Sequence, residues 1–206
     1  MAHRIIAIDR QSGSGGAFIG ARVAEELGIV CYNEQLIDMA LELGGLEHAL
    51  HADQFRRGDE RRPNLAFYRL YDEGNENVTP ALPAEDTVFE LQKKLITDIS
   101  HQEDAVIVGR GSGWILKDDE DVRLLNVYIV GSFESRVTRA MQNSKMTLAQ
   151  AKRYVRKVDK QRGDFYYYIT KQNWDDYTNY HLVLNSEKLG IEKCVDLLRE
   201  FYNEAL

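Results

Sequence analysis

Hydrophobic residues are grouped along the chain in short runs that favour β-strands. Residues 5–8, 105–108 and 125–130 are largely β-branched and apolar, without regular polar alternation, which is typical of strands buried on both faces of a parallel sheet. Weaker apolar runs at 29–32 and 181–184 have the same position relative to neighbouring helical segments as the three stronger runs have. The pattern therefore predicts five strands.

Segments with helical spacing lie between these runs. Apolar residues recur every three or four positions in 17–27 and 34–43, and each segment is followed by glycine, a common helix stop. A last helix is predicted over about 191–202. Three further helices are predicted to begin at capping residues, Thr87, Ser132 and Thr147. Because strands and helices alternate, we expect an α/β fold with a doubly wound parallel sheet.

Two polar segments stand apart from this alternation. Residues 51–85 contain all three prolines and a cluster of arginines that includes Arg56, Arg57, Arg61 and Arg62, and they are interpreted as a helical insertion. Residues 145–162 carry seven basic residues and one acidic residue, Asp159. If residues 145–162 form a helix, the basic side chains lie opposite an apolar stripe. This segment is therefore either a solvated basic face or a helix that lies over a bound anion.

The charge of the whole chain limits its partners. Its formal net charge is -7, which disfavours nucleic acid and anionic membranes, since both attract cationic surfaces. No apolar run approaches the ~20 residues that span a bilayer, and the first residues lead into a strand rather than a signal peptide. We expect a cytoplasmic protein, and its two cysteines, Cys31 and Cys194, match no metal or redox spacing.

A glycine-rich loop joins the first strand to the first helix. Ser12, Gly13, Ser14, Gly15 and Gly16 precede Ala17, and backbone N–H groups at such a strand–helix junction bind anions. The alternatives are a tight turn without a ligand and a dinucleotide loop. The second fails because Phe18 stands where the third glycine is required.

The loop resembles that of the cytidylate kinase family, through Ile8, Asp9 and residues 12–15. Walker A loops continue with Lys and then Ser or Thr, whereas this chain has Gly16 and Ala17. With glycine at the lysine position, the chain resembles the cytidylate kinase-like proteins. Residues 108–111, 159–162 and 184–190 extend this resemblance over nearly the whole chain. It implies one domain of the P-loop NTPase type over 1–206, an acceptor-binding insertion at 51–85 and a lid at 145–165.

The resemblance also implies roles for individual residues. Residues 12–17 would hold ATP, with Mg²⁺ bound together with the nucleotide, and Arg110 would contact the phosphate of the acceptor. Three arginines of the lid segment would stabilise the transferring group: Arg153, Arg156 and Arg162. Asp9, Arg136 and Asp159 would contribute to substrate binding. Each arginine could instead be an ordinary surface charge, and Asp9 could simply cap the loop.

Two functions follow from these residues. The first is phosphoryl transfer from ATP to a nucleoside monophosphate or a similar small acceptor, in which positioning and charge stabilisation dominate. The second is a nucleotide- or phosphometabolite-binding sensor or scaffold that has lost catalysis with the Walker A lysine. Turnover that requires Mg²⁺ distinguishes them. A homo-oligomer is compatible with either.

Overall fold

The strands form one parallel sheet in the computed structural model, which describes residues 2–33, 35–44 and 85–204. The spatial order is β2-β3-β1-β4-β5, and every neighbouring pair is parallel. The five predicted strands are thereby confirmed. Their bounds are β1 (His3–Arg10), β2 (Val30–Tyr32), β3 (Ala105–Val108), β4 (Val122–Val130) and β5 (Leu182–Asn185).

The chain divides into two compact units, residues 34–95 and residues 1–33 with 96–206. The second unit contains the whole sheet, and all contacts described below lie within it. The smaller unit includes α2 and most of α3. The predicted insertion at 51–85 lies, except for residue 85, outside the described residues, and the single-domain organisation stays a prediction.

Helices occupy the segments between the strands. Ser132 and Thr147 cap their helices as predicted, and Thr147 forms a full capping box with Gln150. The prediction at Thr87 is wrong, because the helix there begins at Glu85. The helices are α1 (Gly16–Leu27), α2 (Gln35–Leu43), α3 (Glu85–Ser100), α4 (Ser112–Leu116), α5 (Phe133–Ser144), α6 (Leu148–Thr170), α7 (Ser186–Leu189) and α8 (Ile191–Glu204).

Side chains of alternate residues point to opposite faces of the sheet and pack against different helices. Ile6 and Ile8 of β1 lie in a core with Val23 of α1 and Leu198 of α8, all fully buried. On the other face Tyr128 of β4 packs with Tyr166 of α6. Helices cover both faces, as the doubly wound prediction requires.

This topology brings two turns together at the carboxyl edge of the sheet. β1 and β3 are parallel neighbours, with Ile8 opposite Val108, so the segments that follow them leave the sheet side by side. The N–H of Gly109 donates to the carbonyl of Ile8 at 2.9 Å. The glycine loop and the turn around Arg110 therefore lie where ligands of open α/β sheets bind.

None of the described helices combines the length and apolarity that crossing a membrane requires.

Candidate functional site

The backbone of the glycine loop, residues 12–16, requires glycine at two positions. Gly13 and Gly15 have φ angles of 77° and 86°, a region that L side chains rarely adopt. Space is also lacking: a Cβ at Gly13 would overlap the carbonyl oxygen of Arg136, and one at Gly15 would lie 2.8 Å from Cδ1 of Ile191. The loop is packed tightly against α5 and α8.

The carbonyl groups of the loop point outward to side chains of the surrounding helices. Their donors come from α5 and α7, and a donor from α6 binds the carbonyl of Arg10 at the end of β1. Arg136 donates to Ser12 O at 3.0 Å, Arg139 to Gly13 O at 2.8 Å, Ser186 to Ser14 O at 2.6 Å and Arg162 to Arg10 O at 2.7 Å. Because C=O and N–H of a trans peptide point in opposite directions, the N–H groups of Gly13 and Gly15 face away from these donors.

Other groups of the loop remain available to a ligand. The first N–H groups of α1, from Gly16 onward, have no partner within the helix, as at any helix N-terminus. The hydroxyl of Ser14 is fully buried and has no hydrogen-bond partner in the described part of the chain. A buried hydroxyl without a partner is costly, so this group favours a bound ligand. The N–H of Ser12, by contrast, donates to Asp159 at 2.7 Å.

Arg136 and Asp159, predicted to bind substrate, form an ion pair behind the loop. Their Nη1 and Oδ2 atoms are 2.5 Å apart, and the Arg136 side chain is 8% exposed. Arg136 also donates to Gly131 O. Removing one partner of such a buried pair leaves an uncompensated charge. These two residues hold the loop in place, and their contact with a substrate stays a prediction.

Asp9, at the end of β1, is almost fully buried beside aromatic side chains. Burial raises the pKa of its carboxyl above the usual value, while the charges of Arg10 and Arg162 and hydrogen bonds with Trp174 and Tyr180 oppose that rise. Trp174 and Tyr180 belong to the aromatic core beside Tyr128. Trp174 is therefore a packing residue of this core, and its proximity to Asp9 was not predicted from the sequence.

The three predicted lid arginines occupy different environments. Arg162 is half-buried and contacts the loop at Arg10 O, and burial lowers its pKa despite the carboxylates of Asp159 and Asp9. Arg153 and Arg156 are exposed on α6, and the guanidinium of Arg156 lies 4.6 Å from the Phe133 ring centre. The structure brings Arg162 to the loop, and the catalytic roles of all three stay predictions.

Arg110 lies in a strained turn after β3. Its φ is 63°, between Gly109 and Gly111 with φ angles of 79° and 66°. These three successive left-handed residues direct the chain from β3 into α4. The sequence did not predict the helix α4. A non-glycine residue in this conformation is a candidate for function, in agreement with the predicted acceptor contact.

The sequence did not predict which side chains support the loop backbone from outside. Arg139, Ser186 and Gln11 all contact it or its flanks: Gln11 accepts from the N–H of Gly131 at 3.1 Å. Gln11 also lines a cavity of about 390 Å³ with Tyr128, Asp159 and Trp174. Their partners are 120 or more positions away in sequence, so no local pattern identifies them.

A possible metal-ligand group lies elsewhere. In the described residues, the ligand atoms of His101, Asp119 and Asp121 are within 4.8 Å of one another. These residues precede β3 and β4, so they lie at the amino edge of the sheet. They are therefore not positioned to hold a cation for the loop.

Comparison with known proteins identifies the relatives of this chain. The model of the cytidylate kinase-like family matches residues 5–188. A cytidylate kinase from Staphylothermus marinus is 30% identical over 104 residues, which are 49% of this chain and 55% of that protein. The chain thus spans about half the length of this curated relative.

Solved structures share the fold. A protein from Eubacterium ventriosum, described as uncharacterized, has a TM-score of 0.72 at 20% identity, with 98% of this chain and 99% of that chain covered. A shikimate kinase from Acinetobacter baumannii in complex with shikimate has a TM-score of 0.53 at 14% identity, covering 99% and 96%. At these identities the likeness concerns the fold, which is of the P-loop kinase type.

Proposed function

Since this chain belongs to the cytidylate kinase-like family, we propose that it transfers a phosphoryl group from ATP to a nucleoside monophosphate or a similar small acceptor. The observation that carries this proposal is the loop: its carbonyls are bound from outside by Arg136, Arg139 and Ser186. The Ser14 N–H donates to Gln11 O at 3.1 Å, whereas the amides of Gly13 and Gly15 and the buried Ser14 hydroxyl are left for an anion.

The described residues fit a phosphorylated nucleotide at the loop. Gly13 and Gly15 allow close approach to the backbone, and the helix N-terminus of α1 favours negative charge. Bound Mg²⁺ would neutralise charge on the phosphates. Ala17 provides no hydroxyl for the metal, so Asp9 is the residue of this edge that would face it.

Arginines would supply the remaining charge stabilisation. Arg110 at the end of β3 would hold the acceptor phosphate, for which a planar guanidinium is suited. Arg162 lies at the loop already, and Arg153 and Arg156 on the exposed face of α6 would approach when a lid closes over the phosphates. Lid closure excludes water and strengthens these interactions.

The test is ADP formation from ATP and Mg²⁺ over a panel of nucleoside monophosphates. We expect turnover with at least one acceptor, and Arg110→Ala should reduce kcat by about 10²- to 10³-fold, as loss of one transition-state contact does. Arg123→Ala, which removes an exposed arginine of β4 at the amino edge, is the matched control and should leave the rate unchanged. Equal rates in the two variants would contradict the role of Arg110.

A sensor without catalysis is the second candidate, favoured by Gly16 and Ala17 in place of the lysine and hydroxyl. In that case ATP binds, as calorimetry would detect, but no acceptor yields ADP and binding does not depend on Mg²⁺. Absence of both turnover and ATP binding would contradict the kinase and an ATP sensor, and would leave a sensor of another phosphorylated metabolite.

A further inference from the structure

Gly16, at the position of the Walker A lysine, is required by space rather than by backbone conformation. It is the first residue of α1 and does not have a positive φ. A Cβ added there would lie 2.5 Å from Cβ and 3.0 Å from Cγ of Arg10, and 3.3 Å from Cβ of Ile129. A real Cβ does not approach another atom at 2.5 Å, so a lysine at position 16 and the side chain of Arg10 exclude one another.

The Arg10 side chain extends from Gly16 across the carboxyl edge of the sheet. Its guanidinium lies so close to Gly109 that a Cβ at that position would overlap Nη1. Nη2 donates to Oδ1 of Asn33, just beyond β2, at 3.3 Å. The cationic end of Arg10 therefore lies over the ends of β3 and β2, beside the turn that carries Arg110.

The charge of Arg10 acts on this edge of the sheet. It opposes the rise of the Asp9 pKa and the rise of the Cys31 pKa that burial produces. Arginine stays protonated at any physiological pH, and its planar group can bind two phosphate oxygens at once. Arg10 is thus a fixed positive charge at the carboxyl edge of the sheet, beside the turn that carries Arg110.

We propose that Arg10 provides the phosphate-binding charge that a lysine at position 16 provides in Walker A loops, entering the site from β1 instead of α1. This inference rests on the proposed phosphoryl transfer and adds one residue to it. It explains why glycine stands at position 16, since Cβ of the arginine already fills the space.

Two substitutions of similar size separate charge from volume. Arg10→Met removes the charge and keeps an unbranched side chain, whereas Arg10→Lys keeps the charge. Binding of inorganic tripolyphosphate and of MgATP is measured by calorimetry on the full chain, with circular dichroism as the check of folding. We expect Arg10→Met to weaken tripolyphosphate binding at least tenfold and Arg10→Lys to remain within a few-fold of the parent. Arg123→Met is the matched control and should bind as the parent does.

An exchange variant tests the spatial argument independently. Gly16→Lys alone should bind tripolyphosphate more weakly than the parent, because the new side chain collides with Arg10. The double variant Gly16→Lys with Arg10→Gly removes the collision. It should bind tripolyphosphate more tightly than Arg10→Met does.

The outcomes distinguish this inference from the proposed function. If the parent binds tripolyphosphate and MgATP but folded Arg10→Met binds them equally well, the role of Arg10 is overturned and the proposed function stands. If the parent binds neither, both are overturned. If the exchange variant folds but binds no better than Arg10→Met, the equivalence of positions 10 and 16 is overturned.

Discussion

Backbone strain at one residue indicates a candidate for function at this edge of the sheet. Three non-glycine residues of the described chain have positive φ: Arg110, Lys145 and Lys171. The two lysines are the C-cap residues of α5 and α6, where a left-handed residue is common. Arg110 does not end a helix, so a helix cap does not explain its left-handed conformation. Arg110 is also the residue predicted to contact the acceptor phosphate.

Replacing Arg110 by glycine should separate stability from activity. Arg110→Gly relieves the left-handed conformation and should raise the free energy of unfolding by up to about 1 kcal/mol, while phosphoryl transfer falls. Urea unfolding and the ADP assay measure the two effects. Lys171→Gly is the control: it relieves the same strain at the end of α6 and should leave activity unchanged. A parallel loss of stability and activity in Arg110→Gly would contradict this interpretation.

Among the elements, the glycine loop owes its shape to helices distant in sequence. α5 provides Arg136 and Arg139, α6 provides Asp159 and Arg162, and α7 provides Ser186. The backbone of the loop and of the residue that ends β1 is thus held by three helices before any ligand arrives. Such preorganisation reduces the ordering cost of binding.

Two glycine substitutions measure this packing. Gly13→Ala adds a Cβ that overlaps the backbone of Arg136, in addition to straining a φ of 77°. It should cost more than 2 kcal/mol of stability and weaken tripolyphosphate binding at least tenfold. Gly28→Ala strains a φ of 67° but meets nothing within 4 Å, so about 1 kcal/mol of stability should be lost with binding intact. Equal effects of the two on binding would show that loop packing does not matter.

For the molecule as a whole, one carboxylate joins distant segments at the amino edge of the sheet. Asp104, just before β3, accepts hydrogen bonds from Arg4 N at 2.9 Å, Arg4 Nε at 3.0 Å and Tyr202 Oη at 2.6 Å. Burial by itself raises its pKa, but these bonds and one with His3 outweigh burial and lower the pKa to about 2. Asp104 thereby ties β1 and α8 to the start of β3.

The lowered pKa predicts a pH-dependent contribution to stability. Because the folded pKa lies below the ordinary value, ionised Asp104 stabilises the fold above pH 4, and this contribution is lost as pH falls towards 2. Asp104→Asn should therefore cost about 1–2 kcal/mol at pH 7, allowing for partial solvent screening, and much less near pH 2. Urea unfolding at several pH values measures the difference. Asp118→Asn, at an 86% exposed side chain, should show no such pH dependence, and an equal cost of Asp104→Asn at both ends of the range would contradict the prediction.

The sequence by itself determined the elements of the sheet and the position of the loop. Unbroken apolar runs mark strands covered on both faces, and capping residues such as Ser132 and Thr147 act within three or four residues of the helix start. These signals are local, so they can be read without the fold. The left-handed glycines at 13 and 15 are likewise local requirements of the turn.

The tertiary structure decided what surrounds the loop. Asp159 and Arg136, predicted as ligand contacts, are paired behind the loop, and the hydrogen bonds of Arg139 and Ser186 to loop carbonyls were not predicted. Arg10 next to Gly16 is the clearest example: the sequence shows only a missing lysine, whereas packing shows that an arginine from β1 fills its space. Such contacts join residues that are neighbours only after the sheet has formed, because strand order and helix packing, not chain spacing, set the distances between them.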